Sequence, residues 1–302
     1  MTRKVLIKKP GVYADMKAAD YFAEPCPEPA LSNSGIKILL GGTPEEFHYH
    51  HPALNPDGED AQDSAAKRFG DVGHQIALGK GRGYAVAPWE TFASADAKAF
   101  KADAIKAGLT PIVKKKFDEA KAAGDRMRQR FELHLQAMNG GKLPKYETEV
   151  VAAWQEETRH GPIWCRIMMD VFCFDLKLIR DPKFTKRLAD GVFESHASSM
   201  SWDFQAEWYL RGMEKLFPKD AGRWRFVNDC ISPDPPYVHR IREADEATRY
   251  SCRIEIERAI DKFASCLHSK SWPGYPLEIV PWTAKSYTMA DRMARAEMEE
   301  FQ

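Results

Sequence analysis

The most informative pattern lies between Cys165 and Lys177, where an apolar run rich in β-branched and aromatic residues carries Asp170, Asp175 and Lys177. Side chains alternate across a strand, so Asp175 and Lys177 share one face while Phe174, Leu176 and Leu178 turn to a core on the other. Residues 145–154 read as a preceding strand that carries Glu149, and 155–161 as the turn between the two. Antiparallel pairing then brings Glu149 toward Asp170. Asp170 and Asp175 are an odd number of positions apart, so one unbroken strand would place them on opposite faces. A shared site requires a turn or bulge within 171–174.

The helical patterns fall on either side of this run. Ser32 or Asn33 caps a short helix that Gly41-Gly42 ends, and Thr43-Pro44-Glu45-Glu46-Phe47 opens another. Residues 52–66 read as a polar loop. A helix over 65–78 has small residues along one side, which permit close approach, and Gly70 lies one turn from His74, leaving that imidazole with little cover. Gly79–Gly83 is a turn, 84–88 a short strand, and 111–138 a long helix that Gly124 interrupts. After Lys177 come a loop at Arg180-Asp181-Pro182 and a helix over 195–217, in which Gln205 and Tyr209 share a face. Strands at 224–227 and 237–241, a helix over 244–267 and an irregular aromatic tail over 271–282 complete the chain.

Composition narrows the setting. The 302 residues hold 44 basic and 44 acidic side chains, so no global positive charge announces nucleic acid. Positive charge is local, at Lys114-Lys115-Lys116 and at Arg126, Arg128 and Arg130, where it reads as a solvated helix face. His48, His50 and His51 read as surface histidines. The six cysteines have neither the spacing of a disulfide framework nor that of an iron–sulphur site, which points to reduced, structural thiols. There is no apolar leader and no run long enough to cross a bilayer, so the expectation is a cytoplasmic protein in a bacterial cell with no membrane partner.

Taken in order, His74, Glu149, Asp170, Asp175-Leu176-Lys177 and Gln205-x-x-x-Tyr209 resemble the PDDEXK nuclease superfamily, and within it the RecE-type exonuclease VIII group of phages and prophages. The resemblance runs over roughly 31–282 and takes in Leu31–Gly35, Thr43–Phe47, Gly70–His74 and Ser271–Tyr275. It implies an α/β (α+β) fold in which a central mixed β-sheet flanked by helices forms a restriction-endonuclease-like core. The chain would be one nuclease domain, with an N-terminal extension (1–66), the core (67–282) and a C-terminal tail (283–302).

By the same resemblance His74, Glu149, Asp170, Asp175 and the Leu176 carbonyl would hold Mg²⁺, with Mn²⁺ as a substitute. Lys177 would orient the attacking water and neutralise charge on the scissile phosphate, while Gln205 and Tyr209 position the substrate. The implied activity is metal-dependent exonuclease digestion of double-stranded DNA ends for recombination. It comes with a homo-oligomeric ring and a RecT-type single-strand annealing partner. The alternative is a catalytically weak or inactive relative that binds DNA or protein as a regulator.

Overall fold

In the computed structural model, which describes residues 4–58 and 64–300, the chain begins with β1 (Gly11–Tyr13), α1 (Ala18–Phe22) and β2 (Ala30–Leu31). Two capped helices follow. In α2 (Asn33–Gly41) the Ser32 hydroxyl accepts from the Gly35 amide, and in α3 (Pro44–His50) Thr43 and Glu46 form a reciprocal capping box. Of the polar loop expected over 52–66, residues 59–63 lie outside the described residues. Next come α4 (Ala65–Leu78), β3 (Tyr84–Ala87), α5 (Ala95–Lys106), β4 (Thr110–Val113) and α6 (Lys114–Met138). Pro111, expected at a helix start, instead sits in β4, paired in parallel with β3.

The second half supplies the main sheet: β5 (Glu147–Glu156), β6 (Ile163–Cys173), β7 (Leu178–Phe184), then α7 (Val192–Ser199), α8 (Trp202–Leu216), β8 (Arg225–Ile231), β9 (His239–Arg242), α9 (Glu246–Ser269) and α10 (Ser286–Glu300). The helix expected over 195–217 is thus two, broken where Ser201 takes a left-handed φ of 54°. The strand order is β1-β5-β6-β7-β8-β9, with β2 added in parallel to β6. Pairing is antiparallel except at β2–β6 and β7–β8, so the sheet is mixed.

Helices cover both faces. On one, Ile36 and Leu39 of α2, Trp208 and Met213 of α8 and Phe263 of α9 pack on Val150, Ile167 and Met169. On the other, Met127, Phe131 and Leu135 of α6 pack on Val171, Leu178 and Val227. Each fully buried large apolar side chain contributes about 1.5–3 kcal/mol. All six cysteines are buried thiols outside any disulfide. Among the described residues no helix is long and apolar enough to cross a membrane.

The geometry that matters for function is an irregularity in β6. Ile163, Cys165, Ile167 and Met169 face the α8–α9 layer, and strict alternation would put Val171 there too. Instead Phe172 joins that layer, while Val171 and Cys173 face α6. The phase slips at Asp170. Opposite it, between the Thr148–Val171 and Val150–Met169 pairs, Glu149 stands outside the ladder with a φ of 52°. Such a backbone costs a non-glycine residue roughly 1–3 kcal/mol and is kept where the surroundings over-determine it.

Candidate metal centre

Strands β6 and β7 form a hairpin closed by Phe174–Lys177, in which the Lys177 amide donates to the Phe174 carbonyl (3.1 Å). The ladder holds over three pairs, Cys173–Leu178, Phe172–Ile179 and Val171–Arg180, and then ends. Extending that register by one step sets Asp170 against Asp181, at the point where the strands part. Period-two alternation places Lys183 on the same face of β7 as Asp181. Pro182 between them has no N–H to offer, which costs nothing on an edge where pairing with β6 has stopped.

A third group arrives from α4. His74 Nε2 donates to the Pro182 carbonyl (2.9 Å) and lies 3.4 Å from Asp170 Oδ2. The helix can come this near because the residue before His74 is glycine: a Cβ on Gly73 would meet the Phe184 ring at 2.8 Å. Gly124 does the same for α6 against α4, since a Cβ there would lie 2.7 Å from the Gly73 carbonyl oxygen. One turn before His74, a Cβ on Gly70 would meet nothing within 4 Å, so the space beside it is open.

His74, Asp170 and Asp181 each offer a ligand atom, all within 4.8 Å of one another. The donor set of one imidazole and two carboxylates suits a divalent cation with a preference for oxygen, and Mn²⁺ tolerates the nitrogen. Asp181 Oδ2 is buried without a well-aligned hydrogen-bond donor, although Lys183 Nζ lies against it. Burial, followed by the charge of Asp181, holds the Asp170 carboxyl well above its ordinary range. Burial presses Asp181 upward too, but Lys183 and the hydrogen bond with Asp170 outweigh it, so Asp181 is the ionised partner. Burial also lowers His74, keeping the imidazole neutral as a ligand must be. These observations fit a cation held by His74, Asp170 and Asp181.

Helix α8 buttresses the lysine. Gln205 is buried and accepts from Lys183 Nζ (3.2 Å), and one turn on Tyr209 donates to the Met168 carbonyl (2.8 Å), fixing β6 two residues before Asp170. Burial raises the Tyr209 phenol well above its usual range and keeps it a donor. Glu149 adds negative potential to Asp170 from across the sheet but stands outside the close trio. Its own carboxyl is raised by burial, against the pull of Lys80, whose Nζ donates to the Thr148 carbonyl (2.7 Å).

No family model matches the chain, and no curated protein does. Among solved structures it is similar to a crystal structure of a candidate exonuclease from Eubacterium rectale, at 14% identity and a TM-score of 0.54, over 91% of this chain and 98% of that one. The likeness is one of fold.

Of the residues singled out in the sequence, the structure brings together His74 and Asp170, with Gln205 and Tyr209 beside them and Glu149 facing them. It does not bring Asp175, Leu176 or Lys177. Those three form the hairpin turn: Asp175 is exposed, and Lys177 has a left-handed φ of 53°. The Lys177 ammonium pairs with Asp220 (2.9 Å) and sits over the Phe174 ring at 3.5 Å. The oxygen, carboxylate and ammonium expected from Leu176, Asp175 and Lys177 are instead present at Pro182, Asp181 and Lys183. The signal for them is a second Asp-x-Lys six positions on, hidden by the reading of Arg180-Asp181-Pro182 as a loop. His51 also differs from expectation: it is buried, with Nε2 3.1 Å from Glu24 and 3.2 Å from the Ala30 carbonyl.

Proposed function

We propose that the chain is a metal-dependent nuclease that hydrolyses phosphodiester bonds at double-stranded DNA ends, as a RecE-type exonuclease does. The observation that carries the reading is the convergence of His74, Asp170 and the Asp181-Pro182-Lys183 segment where β6 and β7 part. A divalent cation there would supply a Lewis acid for the phosphoryl oxygen and lower the pKa of water beside it. Asp170 must give up its proton for the site to load, and Asp181 anchors both the cation and Lys183. Lys183 places positive charge where the scissile phosphate gains negative charge, and Gln205 keeps its ammonium from swinging away. Tyr209 holds the strand that carries Asp170. The ring-shaped oligomer and the RecT-type annealing partner belong to the same proposal, as the route by which such an enzyme would stay on one DNA end and pass on its product.

The test is release of acid-soluble nucleotide from blunt linear duplex DNA with Mg²⁺, with closed circular DNA as the control for end dependence. Wild type digests the linear form, Asp181→Ala and Lys183→Ala lose at least about 10²-fold, and Asp175→Ala and Lys177→Ala stay within about 3-fold of wild type. Intact linear DNA with wild type and Mg²⁺ or Mn²⁺ would leave the inactive DNA- or protein-binding reading in its place. Equal loss in Lys177→Ala and Lys183→Ala would sink the assignment of the lysine.

A further inference from the structure

Lys37 projects from α2 to the junction of α7 and α8, where its Nζ donates to the Met200 carbonyl (2.8 Å) at a solvent-accessible spot. Among the described residues it belongs to no ion pair. Burial and then the nearby charge of Lys183 depress this ammonium, and the attraction of Asp181 and Asp203 opposes them only in part. Lys183 is fully engaged, with Asp181 against its Nζ, Gln205 accepting from it and the Trp202 ring 5.4 Å away. Two ammonium groups therefore flank the start of α8 beside the candidate metal centre, and the protein neutralises one of them.

A half-buried cation that is in no ion pair among the described residues, repelled by a second cation and only partly offset by Asp181 and Asp203, costs folding free energy. One carbonyl uses one of its three donors. An anion arriving from solution between the two lysines would relieve the repulsion and occupy the remaining donors. A Lys ammonium serves as a point charge for a phosphate without the geometric demands of a guanidinium, which suits a backbone that must move through the site.

We infer that Lys37 binds a non-scissile phosphate of the polynucleotide backbone, next to the phosphate that Asp170, Asp181 and Lys183 would hold, and so acts as a positioning residue. The inference rests on the nuclease reading for the identity of its anion. It makes the substrate contact independent of base sequence, because phosphate contacts set register and base edges carry the sequence.

The test is fluorescence anisotropy of a linear duplex oligonucleotide on the full chain, with Ca²⁺ in place of Mg²⁺, titrated from about 50 to about 200 mM salt. Lys37→Met keeps the apolar stem and removes the charge, whereas Lys37→Arg keeps the charge. Loss of one phosphate contact lowers the magnitude of the log K against log salt slope by about 0.9 and weakens binding several-fold. The expected result is that loss in Lys37→Met, with the slope retained in Lys37→Arg and a thermal midpoint in Lys37→Met no lower than in wild type. A slope unchanged in Lys37→Met, a slope lost equally in Lys37→Arg, or a wild type that does not bind the duplex would overturn it. Digestion with Mg²⁺ is scored separately. A wild type that binds with the expected slopes yet leaves the DNA intact defeats the nuclease reading and leaves the phosphate contact standing.

Discussion

Replacing Gly124 by alanine isolates the contact that lets α4 reach the metal centre. The new Cβ would lie 2.7 Å from the Gly73 carbonyl oxygen and 2.9 Å from Ile76 Cβ, both parts of α4 that cannot swing aside. An ordinary carbon–oxygen approach is about 3.3 Å, so α4 must retreat by roughly 0.6 Å. Alanine gains about 1 kcal/mol of helix propensity over glycine, and overpacking a core costs about 1–3 kcal/mol. The net is a loss of up to about 2 kcal/mol, which lowers the thermal midpoint by several degrees. The larger effect falls on His74, the residue after Gly73. Metal–ligand distances tolerate about 0.2 Å, so the imidazole leaves bonding range and Mn²⁺ affinity drops about 10–100-fold. Isothermal titration with Mn²⁺ beside a thermal melt reads both. Gly70→Ala on α4 is the control, since its Cβ would meet nothing within 4 Å. It gains helix propensity and keeps wild-type Mn²⁺ affinity. Wild-type Mn²⁺ affinity in Gly124→Ala, or an equal loss in Gly70→Ala, would refute the argument that close helix packing places His74.

Asp170→Asn stabilises the fold while removing a ligand. The folded carboxyl titrates above its unfolded value of about 3.9, so its contribution is complete below about pH 4 and is lost as pH rises toward the folded value. The gain in thermal midpoint is therefore larger at pH 7 than at pH 4, and a gain independent of pH would contradict it. Arg180→Met takes from Asp229, a fully buried carboxylate, the two nitrogens through which Arg180 grips it and leaves it the contact with His239 Nε2 (3.0 Å), and costs about 3–5 kcal/mol in a urea titration. Adding Asp229→Leu recovers a large part of that loss, because a missing pair costs less than a half-pair; no recovery would show that the pair's shape, and not its charge, is what the core needs. Titrating Mn²⁺ in buffers of different ionisation enthalpy shows proton release on loading that grows as pH is lowered, because burial and the charge of Asp181 hold the Asp170 carboxyl well above its ordinary range and the metal displaces its proton. No proton release would mean that Asp170 is already ionised.

The parts of the fold that follow from local chemistry were legible. Ser32 and Thr43 announce their helices through side-chain oxygens that reach backbone amides three residues on, and the apolar run at Ile163–Cys173 could hardly be other than an interior strand. Where tertiary contacts override local preference, the sequence misled. Gly124 reads as a break in a long helix, yet α6 runs straight through it because the missing side chain serves the packing of α4 and not a turn. Pro111 reads as a helix start, yet it is the second residue of a parallel strand. His51 sits among polar residues in the sequence and reads as exposed, whereas the fold buries it against Glu24, which also pairs with Arg166 (2.9 Å).

The candidate site shows how one ambiguity propagates. Two Asp-x-Lys triplets lie six positions apart, at 175–177 and 181–183, and residue type alone cannot rank them. Topology can. Asp170 sits on the strand that enters the hairpin, so its cross-strand partner must lie as far beyond the turn as Asp170 lies before it. With the turn at Phe174–Lys177 that partner is Asp181. Placing the turn at 171–174 instead, to rescue Asp175, demands a reversal within Val-Phe-Cys-Phe, a run with no residue suited to one. The physical error was to read Asp-Pro as loop. A proline breaks a strand only where its N–H is needed, and beyond Arg180 pairing with β6 has already ended. That opening leaves room for two carboxylates and a carbonyl to face one another, so the residue that disguised the strand also lies at the centre of its chemistry.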